Sequence, residues 1–436
     1  MSRKSITSNE FAAVPFPCTP AVQAGDWVFI GGLMAVDWKS GIISERKTDQ
    51  DFPNNDYPMS MQTEGIYQIL TKLLNKAGTD VSNMVRIDQF TPYHDQFRHY
   101  LPIRDKYLLE GRPASTALAI NNLMNQDAQI QLDGIAIIPS KDIKKEAINA
   151  PGAPTPRAGY SLAIRYGDWI WCSGSSPTDF KSRASYPGGK GHAQPDDIQV
   201  DPNFWYGSEI EKQSSYDLYK LKLYLESANS KLENIVKLDV YLTDTKDYPG
   251  LLKVLHNTFP KNMPAITIVP IDQMGIGGSR VEINCIALTN DSKLKPEIIH
   301  AKDVTSPDYA PHGVKVGPYL FLSGRQASDI KTIPESIKPH IASPYVTLHG
   351  KEEMKKILND TNKICQAAGG NIEDIVKMQI FASNLNSIPG AIEPMNDVFQ
   401  SKSPALSIIG VTGPHVIPSL SFATNLIAYI PEDSHE

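Results

Sequence analysis

Cysteine is scarce in this chain: Cys18, Cys172, Cys285 and Cys365 are the four present, far apart and without a CxxC pair. That excludes a disulfide framework and a zinc knuckle as organising devices and fits a reducing compartment. No window approaches the about eighteen uninterrupted apolar residues of a membrane span. The leading MSRKSITSNEF has no apolar stretch of the signal-peptide kind, so a cytoplasmic location is expected. Positive charge is in deficit, with 42 Lys and Arg against 48 Asp and Glu for a net charge of −6. With no basic stripe to meet nucleic-acid phosphate or an anionic membrane, neither partner is expected. The ten histidines include no HxxxH or HxH pair. Neither a metal nor another cofactor is expected, because isolated histidines are more often hydrogen-bonded structural groups than ligands. What stays open is a small neutral or polar ligand.

Hydrophobic residues make up 41% of the 436 and charged residues 21%, an ordinary balance that leaves no room for a long disordered tract. The length suggests about three domains, and internal repetition supports that number. Three strings run from a glycine through an aromatic and hydrophobic stretch to a small pair: Gly25-DWVFIG-Gly32, Gly167-DWIWCS-Gly174 and Gly317-PYLFLS-Gly324, each with a gap of 7. A helix end followed by a strand recurs at Ala77, Ala228 and Ala368, and a Pro-Ala pair follows 36 residues later at Pro113, Pro264 and Pro404. Two fixed spacings held through three copies define modules of 1–150, 151–300 and 301–436.

Periodicity gives the secondary structure of one module. The Gly-Asp-Trp string is aromatic and β-branched, hence a strand after a tight turn. Met354, Ile357, Leu358, Ile364 and Ala368 fall at helical spacing, with Gly369 as the permissive residue past the helix end. Leu218, Leu221, Leu225 and Ala228 repeat that stripe, as do Ile66, Ile69, Leu73 and Ala77. A strand such as VKLDVYLTD, a second helix through Leu251, Val254, Leu255 and Phe259, and two closing strands complete a ββαβαββ order. Helices on one face leave the other face of each sheet to be buried against its two counterparts. The expected architecture is α/β of the α+β kind, a covalent pseudo-trimer with a β-sheet core and outer helices. One insertion, 176–209, interrupts the repeat, and its Lys190, His192, Trp205 and Tyr206 suit either a lid or a surface loop.

The Tyr-Ser-x-Ala start, the Ser-Gly after the hydrophobic strand, the helix-to-strand turn, the Pro-Ala-x-Ser and the VEI-x-x-IA ending resemble the RidA/YjgF family of imine deaminases. The resemblance covers nearly the whole chain three times. It implies a chorismate-mutase-like module and ligand clefts between modules, so that three non-identical clefts would stand where a homotrimer has three alike. In the family, an arginine in P-x-R-S clamps a carboxylate and a glutamate in the VEIE strand holds the attacking water, with a tyrosine and a Ser-Gly beside them. Here the arginine position reads Ser115, Ile266 and Leu406, and the glutamate position Gln131, Glu282 and Ala423. The tyrosine position reads Cys18, Tyr160 and Ala310, with Tyr309 one place early, and the small pair Gly31-Gly32, Ser173-Gly174 and Ser323-Gly324.

Only the middle module keeps a nearly complete set. By resemblance the catalytic candidates are Glu282, Tyr160 and Ser173, and the substrate-binding candidates are Gly174, Ser115, and Arg112 or Arg325 as sources of the missing cation. A guanidinium meets a carboxylate in a planar bidentate pair that Ile or Leu cannot reproduce. Strand alternation puts Glu282 on the face opposite Val281 and Ile283. A solvated or ion-paired carboxylate is the ordinary alternative to a general base there. Cys172 and Cys285 read as buried hydrophobes; Ser173 has no GxSxG elbow and reads as a binding residue.

Two functions follow. The first is metal-independent hydrolysis or deamination at a C=N or amide carbon of a small nitrogen compound, with water activated by Glu282. The second is non-catalytic ligand binding or regulation. Cleavage of RNA, an older association of this family, finds no basic patch here. The chain would act as a monomeric pseudo-trimer or as a higher homo-oligomer of it.

Overall fold

The computed structural model describes residues 3–7, 14, 16–43, 57–109, 111–156, 158–180, 195, 198, 208–304, 310–328, 333–337, 350–400 and 402–431. Within them the same eight elements occur three times. The first module runs β1 (Lys4–Ile6), β2 (Ala21–Ala24), β3 (Trp27–Leu33), α1 (Pro58–Ala77), β4 (Met84–Thr91), α2 (Phe97–Leu108), β5 (Ala114–Ala119) and β6 (Gln131–Ile137). The second runs β7 (Lys145–Ile148), β8 (Ala163–Tyr166), β9 (Trp169–Ser175), α3 (Ser208–Ser227), β10 (Ile235–Leu242), α4 (Tyr248–Thr258), β11 (Ala265–Pro270) and β12 (Val281–Leu288). The third runs β13 (Pro296–Ile299), β14 (Gly313–Val316), β15 (Tyr319–Leu322), α5 (Lys351–Ala367), β16 (Ile375–Ala382), α6 (Ile388–Val398), β17 (Ala405–Gly410) and β18 (Phe422–Tyr429).

Each module therefore carries one more strand than its hydrophobic pattern predicts, at its start. The strands ahead of 150 and 300 pair forward, β7 with β8 and β13 with β14. The tight turn into the aromatic strand needs left-handed backbone, which glycine supplies at Gly25, Gly167 and Gly317 with φ of 59°, 58° and 55°. In every sheet the order is first, second, third, sixth, fourth, fifth strand. Only the fourth and fifth are parallel, and the intervening helix makes the crossover such a pair requires.

One face of each sheet packs on its own two helices, forming three separate apolar cores. The opposite faces meet in a core shared by all three modules. At its centre Trp27 stacks on Tyr319 at 4.3 Å and meets Trp169 edge-on at 5.0 Å. A second shared cluster gathers Phe90, Tyr241 and Phe381. Between the two clusters, along β4, β10 and β16, lie buried cations and their partners: Arg86, Lys237 and Lys377 with Asp88, Asp239 and Gln379.

The modules meet in three like seams. At the first, between β5 and β9, the Ser115 amide donates to Ser173 Oγ at 2.7 Å. At the second, between β11 and β15, the Ile266 amide donates to Ser323 Oγ at 3.1 Å. At the third, the Thr19 amide donates to the Pro404 carbonyl at 3.0 Å, and Gly31 lies against the Leu406 backbone. The last seam joins the third module back to the first and closes the ring.

Candidate functional site

At the first seam, β9 and β12 stay in register up to Cys172 opposite Cys285, then resume at Ser175 opposite Ile283. Ser173 and Gly174 there stand opposite the single residue Asn284, so the small pair forms a bulge at the module edge, the kind of irregularity that re-aims side chains near functional sites. Glu282 sits on the facing strand with its carboxylate over Gly174. A Cβ at 174 would stand 1.9 Å from Glu282 Oε1, so any larger residue there must push the carboxylate aside. Gly174→Ala should displace the carboxylate and destabilise the protein by about 1–3 kcal/mol. The double variant with Glu282→Ala should recover most of that, a coupling that paired thermal melts would read.

Glu282 is 5% exposed. Its Oε2 accepts from Ser176 Oγ at 2.7 Å, and among the described residues nothing donates to Oε1. Burial pushes the carboxyl up to about 7, opposed by the Ser176 hydrogen bond and by Lys220, with Asp88 adding a smaller push. A carboxyl held there shares its proton near neutral pH, the property required of a general base.

Two buried residues of α3 face it. Lys220 Nζ donates to the carbonyls of Ser176 and Thr178 and lies 3.8 Å from Asp217. Burial lowers its ammonium against the pull of Asp217 and Glu282. Asp217 accepts from Ser175 Oγ at 3.3 Å, and burial drives its carboxyl well above the ordinary range, with Lys220 opposing and Glu282 reinforcing. Two carboxyls and one ammonium thus surround the bulge. Lys220 pins the turn that carries Ser176, and through it the orientation of Glu282.

Tyr160, at the start of the second module, packs at the edge of that module's core. Burial raises its phenol, with Glu282 raising it further and Arg104 opposing. Its hydroxyl has no hydrogen-bond partner among the described residues. Arg104 comes from α2 of the first module and is 3% exposed. Its Nε and Nη2 donate to Asp105 at 3.0 and 2.7 Å, Nη2 also reaches the Ala158 carbonyl, and no described residue accepts from Nη1. Arg112 also reaches Asp105, at 3.3 Å, and lies against Gly159 beside Tyr160. Two guanidinium groups on one carboxylate leave positive charge at this seam.

Of the other sequence candidates, Ser173 and Ser115 lie at this seam in structural hydrogen bonds, and the rest fall elsewhere. Ser173 Oγ both accepts from the Ser115 amide and donates to the Ser161 carbonyl at 2.6 Å, while Ser115 Oγ donates to Gln89 at 3.1 Å. These hydroxyls tie the two modules together beneath Glu282. Arg325 is in the third module, fully buried on Asp360 at 3.4 Å, and is not brought to Glu282. His312 and His415 are buried, held by Ala301 and Ser421 and lowered to about 4 by burial. Cys172 and Cys285 are buried opposite one another. Lys190, His192, Trp205, Tyr206 and Tyr309 lie outside the described residues.

Sequence reasoning missed Arg104, Asp217 and Lys220. Arg104 carried a signal: it interrupts the apolar face Phe97, Tyr100, Leu108 of α2 at helical spacing. The α3 signal was a second stripe, Gln213, Asp217, Lys220 and Tyr224, beside the leucines.

A family model described as endoribonuclease L-PSP matches residues 7–138, 150–289 and 303–428. Protein mmf2, mitochondrial, of Schizosaccharomyces pombe is 29% identical over 130 residues, covering 29% of this chain and 86% of that protein. The 2-iminobutanoate/2-iminopropanoate deaminase of Dermatophagoides farinae is 30% identical over 98 residues, 22% of this chain and 69% of that enzyme. Among solved structures, RidA of Psychrobacter sp. PAMC 21119 is 24% identical, covering 33% of this chain and 98% of its own at a TM-score of 0.26. Yeast Mmf1 is 23% identical, covering 34% of this chain and 100% of its own at 0.27. No helix among the described residues is long and apolar enough to cross a membrane.

Proposed function

Because the chain belongs to the endoribonuclease L-PSP family, with three copies of the module in tandem, we propose that it is a pseudo-trimeric imine deaminase with its chemistry at the first seam. The observation that carries this reading is Glu282: a buried carboxyl pushed up to about 7, with one oxygen unpartnered among the described residues, beside a phenol likewise unpartnered among them and an arginine from the neighbouring module. The deaminase among its relatives supplies the reaction class.

In this mechanism, Glu282 takes a proton from water as the water oxygen attacks the C=N carbon. Glu282 passes that proton to the nitrogen to give a carbinolamine, then takes the hydroxyl proton and delivers it to the amine as the C=O bond forms and the C–N bond breaks, so that ketone and ammonia leave and the carboxylate is regenerated. Tyr160, kept protonated by burial, donates to substrate; Lys220 and Ser176 are positioning residues for Glu282. Arg104 Nη1 takes the part of the missing P-x-R arginine from a different element, with Arg112 behind it. We place the protein in the cytoplasm on its composition and cysteine spacing.

Ammonia release should be measured from 2-iminopropanoate, 2-iminobutanoate and a neutral imine of similar size. Arg104→Gln should raise KM for the two carboxylates by about 10- to 100-fold, the worth of a charge-assisted hydrogen bond, and leave the neutral imine within a few-fold. A folded wild-type protein that releases no ammonia from any imine sinks the enzymatic reading in favour of ligand binding alone.

A further inference from the structure

The third seam has the architecture of the first and the opposite chemistry. The bulge is again in the aromatic strand, between Ile30 and Leu33, and the neighbouring module again supplies the facing strand, here β17. Yet a cavity of about 190 Å³ opens there, lined by Phe16, Cys18, Trp38, Gln131, Leu406 and Ile408 among others, and among the described residues none that lines it is charged. Leu406 stands where the family places its arginine, and Gln131 where it places its glutamate.

Gln131 is 1% exposed, and its Nε2 is buried without a hydrogen-bond partner among the described residues. Its amide is seated over Gly32, whose Cβ, if present, would lie 2.6 Å from Gln131 Cδ. A buried amide left unpaired carries an uncompensated desolvation cost, so a ligand that satisfies it binds the more tightly for doing so. The thiol of Cys18 is held by the Leu406 carbonyl at 3.8 Å and pushed up to about 12 by burial, so it stays neutral. Phe16 and Trp38 meet edge-on at 5.4 Å and form an aromatic wall.

We propose that this seam is a second ligand site, one that binds small neutral ring compounds carrying a carboxamide or lactam edge and does not turn them over. A primary amide presents a donor and an acceptor side by side, and a carboxamide or lactam edge returns both. An ionised carboxylate would meet no cation among the described lining residues, and burying it there is strongly disfavoured. The size fits: a dry cavity of about 150 Å³ holds benzene, so this one takes one ring and a small substituent. Gln131 stands in the glutamate's place and no described residue lining the cavity is a base, so binding is not followed by hydrolysis.

The test uses the full chain and three probes, benzamide, benzoate and toluene, titrated by calorimetry with Trp38 fluorescence as a second readout. Benzamide should bind at least tenfold more tightly than benzoate. Gln131→Met should weaken benzamide about tenfold and leave toluene unchanged, while the cavity-filling Ile408→Phe should weaken both. Benzoate binding as tightly as benzamide overturns the proposal in the wild-type protein alone, whatever the variants do. So does the absence of binding by any probe up to its solubility, or benzamide binding untouched in both variants.

Discussion

In Glu282→Gln, ammonia release is expected to fall by about 10²- to 10⁴-fold, the contribution of a positioned general base, while stability at pH 8 rises. The two effects have one cause. Burial lifts the Glu282 carboxyl from 4.5 to about 7, so the folded protein holds a proton that the unfolded chain releases. Stability from that proton is fully present below about pH 4.5 and is lost as pH rises through about 7. At pH 8 the charged, desolvated carboxylate is a burden of up to about 3 kcal/mol, which a neutral glutamine removes. Turnover has the opposite slope: the base must be ionised, so the wild-type rate should climb with pH to a midpoint near 7 and then level. A melt at pH 5 and at pH 8 beside a pH–rate profile checks both. A Glu282→Gln protein that keeps its turnover removes Glu282 from the chemistry. A variant less stable than wild type at pH 8 contradicts the burial account instead.

That coupling shows which parts of this protein are legible in its sequence. Equal spacings between Gly25 and Gly32, Gly167 and Gly174, Gly317 and Gly324 revealed the repeat, because strand and turn geometry constrain residue type at each place. The α5 stripe Met354, Ile357, Leu358 and Ile364 is buried where helical period put it. The initial strand of each module escaped, since Lys4–Ile6, Lys145–Ile148 and Pro296–Ile299 are short and largely solvated, without alternation to read. Glu282 was found by its place in a family pattern. Lys220 and Arg104 were not, because a charged residue on a helix ordinarily marks a solvated face. Their burial depends on what the neighbouring module and the bulge bring against them, and that is tertiary information. Arg325 shows the same limit: next to a Ser-Gly pair it resembled a cation for substrate, yet Asp360, 35 residues away on α5, claims it.

The buried belt yields the second large effect. Each module contributes one cation, Arg86, Lys237 and Lys377, but the acids are uneven: Asp88 and Asp133 from the first, Asp239 from the second, and Gln379 and Asn425 at the matching places in the third. Arg86 bonds Asp88 at 3.0 Å and reaches Asp239 of the second module at 2.9 Å, while Lys377 of the third reaches Asp133 of the first at 3.1 Å. Three identical subunits would repeat one residue around the axis; three different modules can instead match charge pair by pair across the seams. Arg86→Met removes the partner that holds Asp88 ionised and leaves Asp239 on Lys237 and Asn425. A stranded buried charge costs about 3–5 kcal/mol, to be read as a lowered denaturant midpoint at pH 7. Burial, with Asp133 adding to it, already lifts Asp88 to about 6 against the pull of Arg86. Without the arginine it should take up a proton at higher pH, so the loss should shrink as pH falls toward 5. Adding Asp88→Asn, which removes the charge and keeps the shape, should restore most of the stability at pH 7. If the single variant unfolds at the wild-type midpoint at both pH values, the belt contributes nothing to holding the modules together.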